Sequence, residues 1–318
     1  MTLRAAVVAL LAITVTCPAA PAAEYRTGQR VMGTVLQVTV IADDAATARR
    51  LAGECIGVAQ HWDDVLTTWR PEGELARLNA NAGGAPMPIS GDLTAALHSM
   101  LRLSDATGGA FDPAVGAVVD HWRTPTSSEF GGDGPRLRAA LRLKGEQASL
   151  AKGSAVDAGA IGKGIALDEI VRLLRANGIR AAFLDFGGSG LYGLGAPAGR
   201  PEGWTVALAG LDPGEIHGNV ALRDASISTS RSSGPGDPAG PIVDPATRRP
   251  LPTQRLAIVL SDDATAADAW STALVVRGRP LIEQAAKAGA LALVEDESGT
   301  TTAPGLQQKI RPSGHQGT

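Results

Sequence analysis

The amino-acid sequence predicts an α+β fold, with mixed sheets packed against helices. Runs rich in β-branched residues and runs with helical apolar spacing both recur along the chain. They do not alternate with the regularity of a wound βαβ sheet. With 318 residues, 44% of them hydrophobic, the chain can bury a substantial core.

Taken in order, the first element is a leader rather than part of the fold. Arg4, an apolar run from Ala5 to Val15 and the small residues Ala20-Pro21-Ala22 fit a signal peptide over residues 1–23. The run is shorter than the ~20 residues of a spanning helix. The expectation is an exported chain, periplasmic or outside the cell envelope. A lipid anchor at Cys17 is the alternative, although Thr16 is a poor match to such sites. Cys55 then remains as a single thiol on an apolar helical face, where burial is expected.

Residues 24–300 are expected to form one domain and 301–318 a flexible tail. RVMGTVLQVTVIA (30–42) predicts a strand and 44–66 a helix, while 91–109 predicts a helix capped by Asp92. TPTSSEFGGDGPR (124–136) predicts a loop. AAFLDF, WTVALAG, ASISTS, RLAIVL and ALALVED predict strands, with helices at 164–177, 264–277 and 280–289. A net charge of −3 and pI near 6.0 give no footprint for nucleic acid, and no basic amphipathic helix suggests a membrane surface. Any bound anion must be held locally.

VDAGAIGKGIALDEI (156–170) supplies such a place. Gly159 and Gly162 let the backbone approach a ligand, Lys163 adds positive charge, and the following helix points its first amides the same way. It is no Walker loop, because Asp157 and Gly164 stand where Gly and Ser or Thr are required. A glycine-bearing turn with a surface lysine fits equally well. Gly188, Gly190 and Gly193 match G-x-G-x-x-G, but LGAPAGRPEGW and then a further strand follow where a dinucleotide fingerprint opens a helix, so packing and turn glycines are expected. Asp268 and Thr272, four apart, offer hard oxygens on one helical face and suit Mg²⁺, or else serve the helix dipole and the surface. Trp69 and Phe111 are candidates to flank a flat ring, or core residues. The five His residues lack ligand spacing, and no G-x-S-x-G elbow occurs.

In order, VMGTVLQV, TTWRPEGELARLN, GGAFDPAVGAVVDHW, VDAGAIGKGIALDEI, FLDFGGS and TAADAWSTALVVRG resemble six motifs of the FAD:protein FMN transferase family, also called the ApbE family. The resemblance runs from about residue 30 to 295. It implies that the chain binds FAD with its pyrophosphate on Mg²⁺. FMN then moves to a Thr or Ser of a target flavoprotein, and AMP is released. By position, it implies FAD contacts at Met32, Trp69, Ala110, Phe111, Asp112, Asp157 and Lys163. It implies metal ligands at the Ala160 carbonyl, Asp268 and Thr272, with Ser271 a further candidate, and catalytic roles for Asp268, Asp244 and Thr272. The chain departs from the family where Pro241 replaces a His, Arg248 a Gly, and Ser228-Thr229-Ser230-Arg231 an A-T-S-G. A general base contributes typically 10²–10⁴-fold. Its loss leaves two alternatives open: a protein that binds FAD with little or no transfer, and an FAD pyrophosphatase.

Overall fold

The computed structural model describes residues 22–123, 134–233 and 242–312. The chain opens with β1 (Ala23–Val31), turns at Met32-Gly33 and returns as β2 (Thr34–Ala42). The run expected as one strand is therefore two. Met32 and Gly33 take φ of 49° and 75°, the backbone of a two-residue turn whose twist matches its strands. α1 (Ala45–Leu66) is capped by Asp44, whose carboxylate accepts from the Thr47 amide at 2.9 Å. α2 (Glu74–Ala80), β3 (Met87–Pro88) and α3 (Gly91–Ala106) follow. Asp92 lies inside the first turn of α3; the cap is Ser90, whose hydroxyl accepts from the Leu93 amide at 3.0 Å.

Past a 3-10 turn at Pro113–Val115 come α4 (Gly116–Arg123), α5 (Leu137–Ala140), β4 (Leu141–Leu143), β5 (Gln147–Leu150) and α6 (Gly162–Ala176). Next are β6 (Ala181–Phe186), β7 (Gly190–Gly195), β8 (Trp204–Ala209), β9 (Ile216–Leu222) and β10 (Ala225–Ser233). β11 (Val243–Asp244), β12 (Arg249–Pro250), β13 (Gln254–Ser261), α7 (Ala264–Arg277), α8 (Ile282–Lys287), β14 (Leu291–Asp296), β15 (Gly299–Thr302) and α9 (Pro304–Gln307) complete the chain.

Eight strands form one sheet in the order β1-β2-β6-β7-β10-β13-β14-β15. Each of its pairings is antiparallel. Side chains alternate across it. Along β13, Ala257 and Val259 enter the core beneath the helices, while Leu256, Ile258 and Leu260 enter a second core under the β8–β9 hairpin. Gly188-Ser189 is the tip of the β6–β7 hairpin, so the glycine series opens no helix but a strand that the sequence did not predict. A Cβ on Gly193 would lie 2.7 Å from Leu222 Cβ, so this glycine lets the outer hairpin approach the sheet.

Residues 301–312 do not fray as expected, and residues 313–318 of the expected tail lie outside the described residues. β15 pairs with β14, Leu306 of α9 is buried in the second core, and Asn219 bridges to Arg311. Cys55 is fully buried on α1, and burial pushes its thiol pKa up to about 12. Among the described residues no helix is long and apolar enough to cross a membrane.

Candidate active site

The turn before α6 is held from three directions. The Asn79 side chain donates to the Val156 carbonyl and accepts from its amide, both at 2.8 Å. The Asp157 amide donates to the Pro113 carbonyl at 2.9 Å, and the Asp157 carboxylate accepts from the Gly159 amide at 2.8 Å. A cavity of about 410 Å³ opens here, lined by Met32, Trp69, Arg70, Asp157, Gly159 and Lys163 among others. Four residues separated widely in sequence, Met32, Trp69, Asp157 and Lys163, thus share one wall. Met32 arrives there through its left-handed turn. Trp69 is 70% exposed, an unusual state for so large a ring.

Lys163 connects this cavity to a second set of groups. Its ammonium lies 4.0 Å from the Asp268 carboxylate, which is buried on α7. Asp268 also accepts from the Ser228 hydroxyl at 3.1 Å and from the Gly164 amide at 3.2 Å. Gly164 is the third residue of α6, so its amide has no acceptor within the helix, and Asp268 supplies one. Hydroxyls then continue the network: Ser228 to Ser271 at 3.1 Å, Ser271 to Ser230 at 2.7 Å, and Ser230 to Thr272 at 3.2 Å. Ser271 is fully buried, whereas Thr272, at the next position, is only partly so.

Two residues outside the expected set bring the helices together. A Cβ on Gly164 would lie 2.7 Å from Thr265 Cα and collide with the Ala264 carbonyl. Asp168 on α6 accepts from the amides of Ala264 and Thr265 at 2.9 and 2.8 Å, and from the Thr265 hydroxyl at 2.6 Å. It thereby satisfies the first amides of the helix that carries Asp268. Burial raises its pKa to about 6 against the opposing pull of those hydrogen bonds. In sequence, only the period of the helix distinguishes Asp168 from a surface acid. Asn79 and Gly164 lie inside motifs already quoted, but their partners are distant in the chain.

Ala110, Phe111 and Asp112 sit on a neighbouring turn, not among the cavity-lining residues. Phe111 is 2% exposed and packs in the main core, so its ring does not stand beside Trp69. Asp112 caps the 3-10 turn through the Ala114 amide at 3.0 Å and also accepts from the Leu137 amide at 3.2 Å. Burial raises its pKa, opposed by these amides and then by Arg136 and Arg248. Asp244 accepts from the Ala246 amide at 2.8 Å, closing the β11–β12 turn. Arg248 takes φ 56° there, a conformation that favours glycine, and its guanidinium reaches the Ala114 carbonyl at 3.4 Å. Pro241 lies outside the described residues.

The donors around Asp268 fit a hard divalent cation: one buried carboxylate with the hydroxyls of Ser228, Ser271 and Thr272, and no sulfur or imidazole among these donors. Among the described residues a second group able to hold a metal is Glu215, His217 and Glu295, on the outer hairpin and β14.

Comparison with known proteins shows the family and the fold of the chain. The model of the ApbE family matches residues 32–294. A protein of Treponema pallidum named FAD:protein FMN transferase is 32% identical over 293 residues, covering 80% of this chain and 79% of its own. One of Salmonella typhimurium with the same name is 28% identical and covers 87% and 85%. Among solved structures, an ApbE protein from Thermotoga maritima superposes with a TM-score of 0.78 at 19% identity, over 91% of this chain and all of that one. The flavin transferase ApbE from Vibrio cholerae gives 0.75 at 23%, again over 91% of this chain and all of its own.

Proposed function

This chain belongs to the ApbE family, and on that premise we propose that it is an Mg²⁺-dependent FAD:protein FMN transferase. A Thr or Ser hydroxyl of an acceptor flavoprotein attacks the FMN phosphorus of FAD. A new phosphoester bond forms, the P–O bond to the AMP phosphate breaks, AMP leaves and the hydroxyl proton passes to solvent. Phosphoryl transfer of this kind depends on positioning and charge neutralisation more than on covalent chemistry by the protein.

The observation that carries the proposal is Lys163, which lines the cavity while its ammonium lies 4.0 Å from Asp268. A flavin held against Trp69 and Met32 extends its pyrophosphate toward that lysine at the N-terminal, positive end of α6. Asp268 and Thr272, with Ser271 and the Ala160 carbonyl, are the groups that would hold Mg²⁺, which when bound neutralises pyrophosphate charge. The Asp112 carboxylate caps the Pro113–Val115 turn rather than contacting substrate, and Asp244 shapes the β11–β12 turn. Ala110 and Phe111 are buried, and their amides donate to Thr107. The leader at residues 1–23 supports export to the periplasm or cell exterior; fractionation and N-terminal sequencing of the mature chain test it.

The purified chain should be incubated with FAD, Mg²⁺ and a pool of ten-residue peptides randomised around one central threonine, and the peptides weighed. A gain of one FMN moiety, abolished by a chelator, is expected. FMN and AMP released without peptide modification would make the protein a pyrophosphatase. FAD bound without turnover would make it a flavin carrier.

A further inference from the structure

We propose that the free edge of β1 is the docking strand for the acceptor protein, which pairs with it as an extended segment and presents its hydroxyl to the cavity. The proposal rests on the transferase reading above. β1 is nine residues long and terminal in the eight-stranded sheet, and among the described residues no strand pairs with its outer side. The tight turn fixes which amides are free. Val31 pairs with Thr34 at the turn and Arg30 with Val35, and the Val35 carbonyl accepts from the Gly187 amide on the β6 side at 2.9 Å. Main-chain groups opposite Val35 and at every second residue therefore face away from β2: those of Arg30, Gly28, Arg26 and Glu24.

Three features distinguish this edge from an ordinary solvated one. β1 runs directly into Met32 and Gly33, which line the cavity, so a segment paired along it is delivered to the site. Of three large apolar side chains exposed among the described residues, two flank this end: Val35 beside Arg30, and Trp69 on the cavity wall. The chemistry also needs a held partner, because an acceptor hydroxyl reacts efficiently only when it is fixed near the phosphorus. Strand addition supplies that fixation through main-chain hydrogen bonds, and it tolerates varied acceptor sequences.

Gly28→Pro tests the proposal. It removes one outward amide and obstructs pairing, yet leaves the β1–β2 ladder intact because that amide is not used there. Gly28→Ala is the control, since its Cβ meets nothing closer than 3.4 Å. With the threonine peptide pool as acceptor, Gly28→Pro should raise the peptide KM about tenfold or more, the loss of roughly 1.4 kcal/mol. kcat and FAD affinity should be unchanged, and Gly28→Ala should match the parent. An unchanged KM for Gly28→Pro would overturn the docking proposal while the transferase reading stands. If Gly28→Pro fails to fold, peptides N-methylated at alternate residues around the threonine replace it, and equal KM for methylated and unmethylated peptides would overturn the proposal. If the parent transfers nothing, the functional reading fails first. Hydrogen exchange with FAD and the pool then decides the edge alone: protection of the Arg26, Gly28 and Arg30 amides supports it, and none overturns it.

Discussion

Lys163 and Gly164 divide the work of one turn between charge and shape. In the proposed site the ammonium of Lys163 serves the ligand, and it lies 4.0 Å from Asp268, while its neighbour has no side chain because α7 occupies that space. Lys163→Ala should therefore weaken FAD binding by roughly 1.5–3 kcal/mol, the range of a charge-assisted contact. The melting temperature of the ligand-free protein should stay near that of the parent. A flavin titration beside a melting curve checks both, and normal FAD affinity would remove Lys163 from the site. Gly164→Ala should do the reverse. Forcing a methyl between the helices costs roughly 1–3 kcal/mol of stability, so its melting temperature should fall before any binding defect is considered. The sequence exposes the lysine through its glycine-rich context. It does not expose the reason for Gly164, whose neighbours Ala264 and Thr265 lie about a hundred residues away.

α6 and α7 act as one element because Asp168 clamps the start of α7, and this contact makes stability depend on pH. The unfolded carboxyl titrates near the ordinary aspartate value of 3.8, and the folded one is raised to about 6 by burial. The folded state thus holds the extra proton between those values. The contribution of Asp168 is full below the lower value and is lost as pH rises through the upper one. Melting temperatures measured from about pH 4 to about pH 7 should decline more steeply for the parent than for Asp168→Asn; parallel curves would show that Asp168 does not titrate in this window. At this scale the sequence is informative for α7, expected at 264–277 and found there. It fails for β7, whose GLYGLG has three glycines and little strand propensity. That strand exists because β6 and β10 pair on either side of it, information no local window contains.

Over the whole molecule the sheet separates chemistry from support. The cavity and hydroxyl cluster lie among the turns and helices of one side, and the other side is closed by the β8–β9 hairpin and α9. Ending the chain at Glu297 would remove β15 and α9 and expose the pocket of Leu306, worth roughly 2–3 kcal/mol for that side chain alone. The melting temperature should drop by several degrees, while the fraction still folded binds FAD. Ending it at Pro312 should change neither, and equal melting of both truncations would show that the terminal segment is not part of the core. Of the candidate site, the residues of each motif were legible in sequence. Their division into a cavity wall, a hard-oxygen cluster and two supporting turns was not, because Asn79, Arg136 and Arg248 join those pieces only through space.

The burial of Cys55 has a practical consequence. With the proposed leader and its Cys17 removed, the chain would carry no other thiol, and this one is sealed inside α1 with its proton held. Any cysteine introduced on the surface becomes the sole position that a maleimide dye labels. A fluorophore or spin probe placed beside Trp69 would then report flavin arrival and partner arrival as separate signals, with no background from the protein itself.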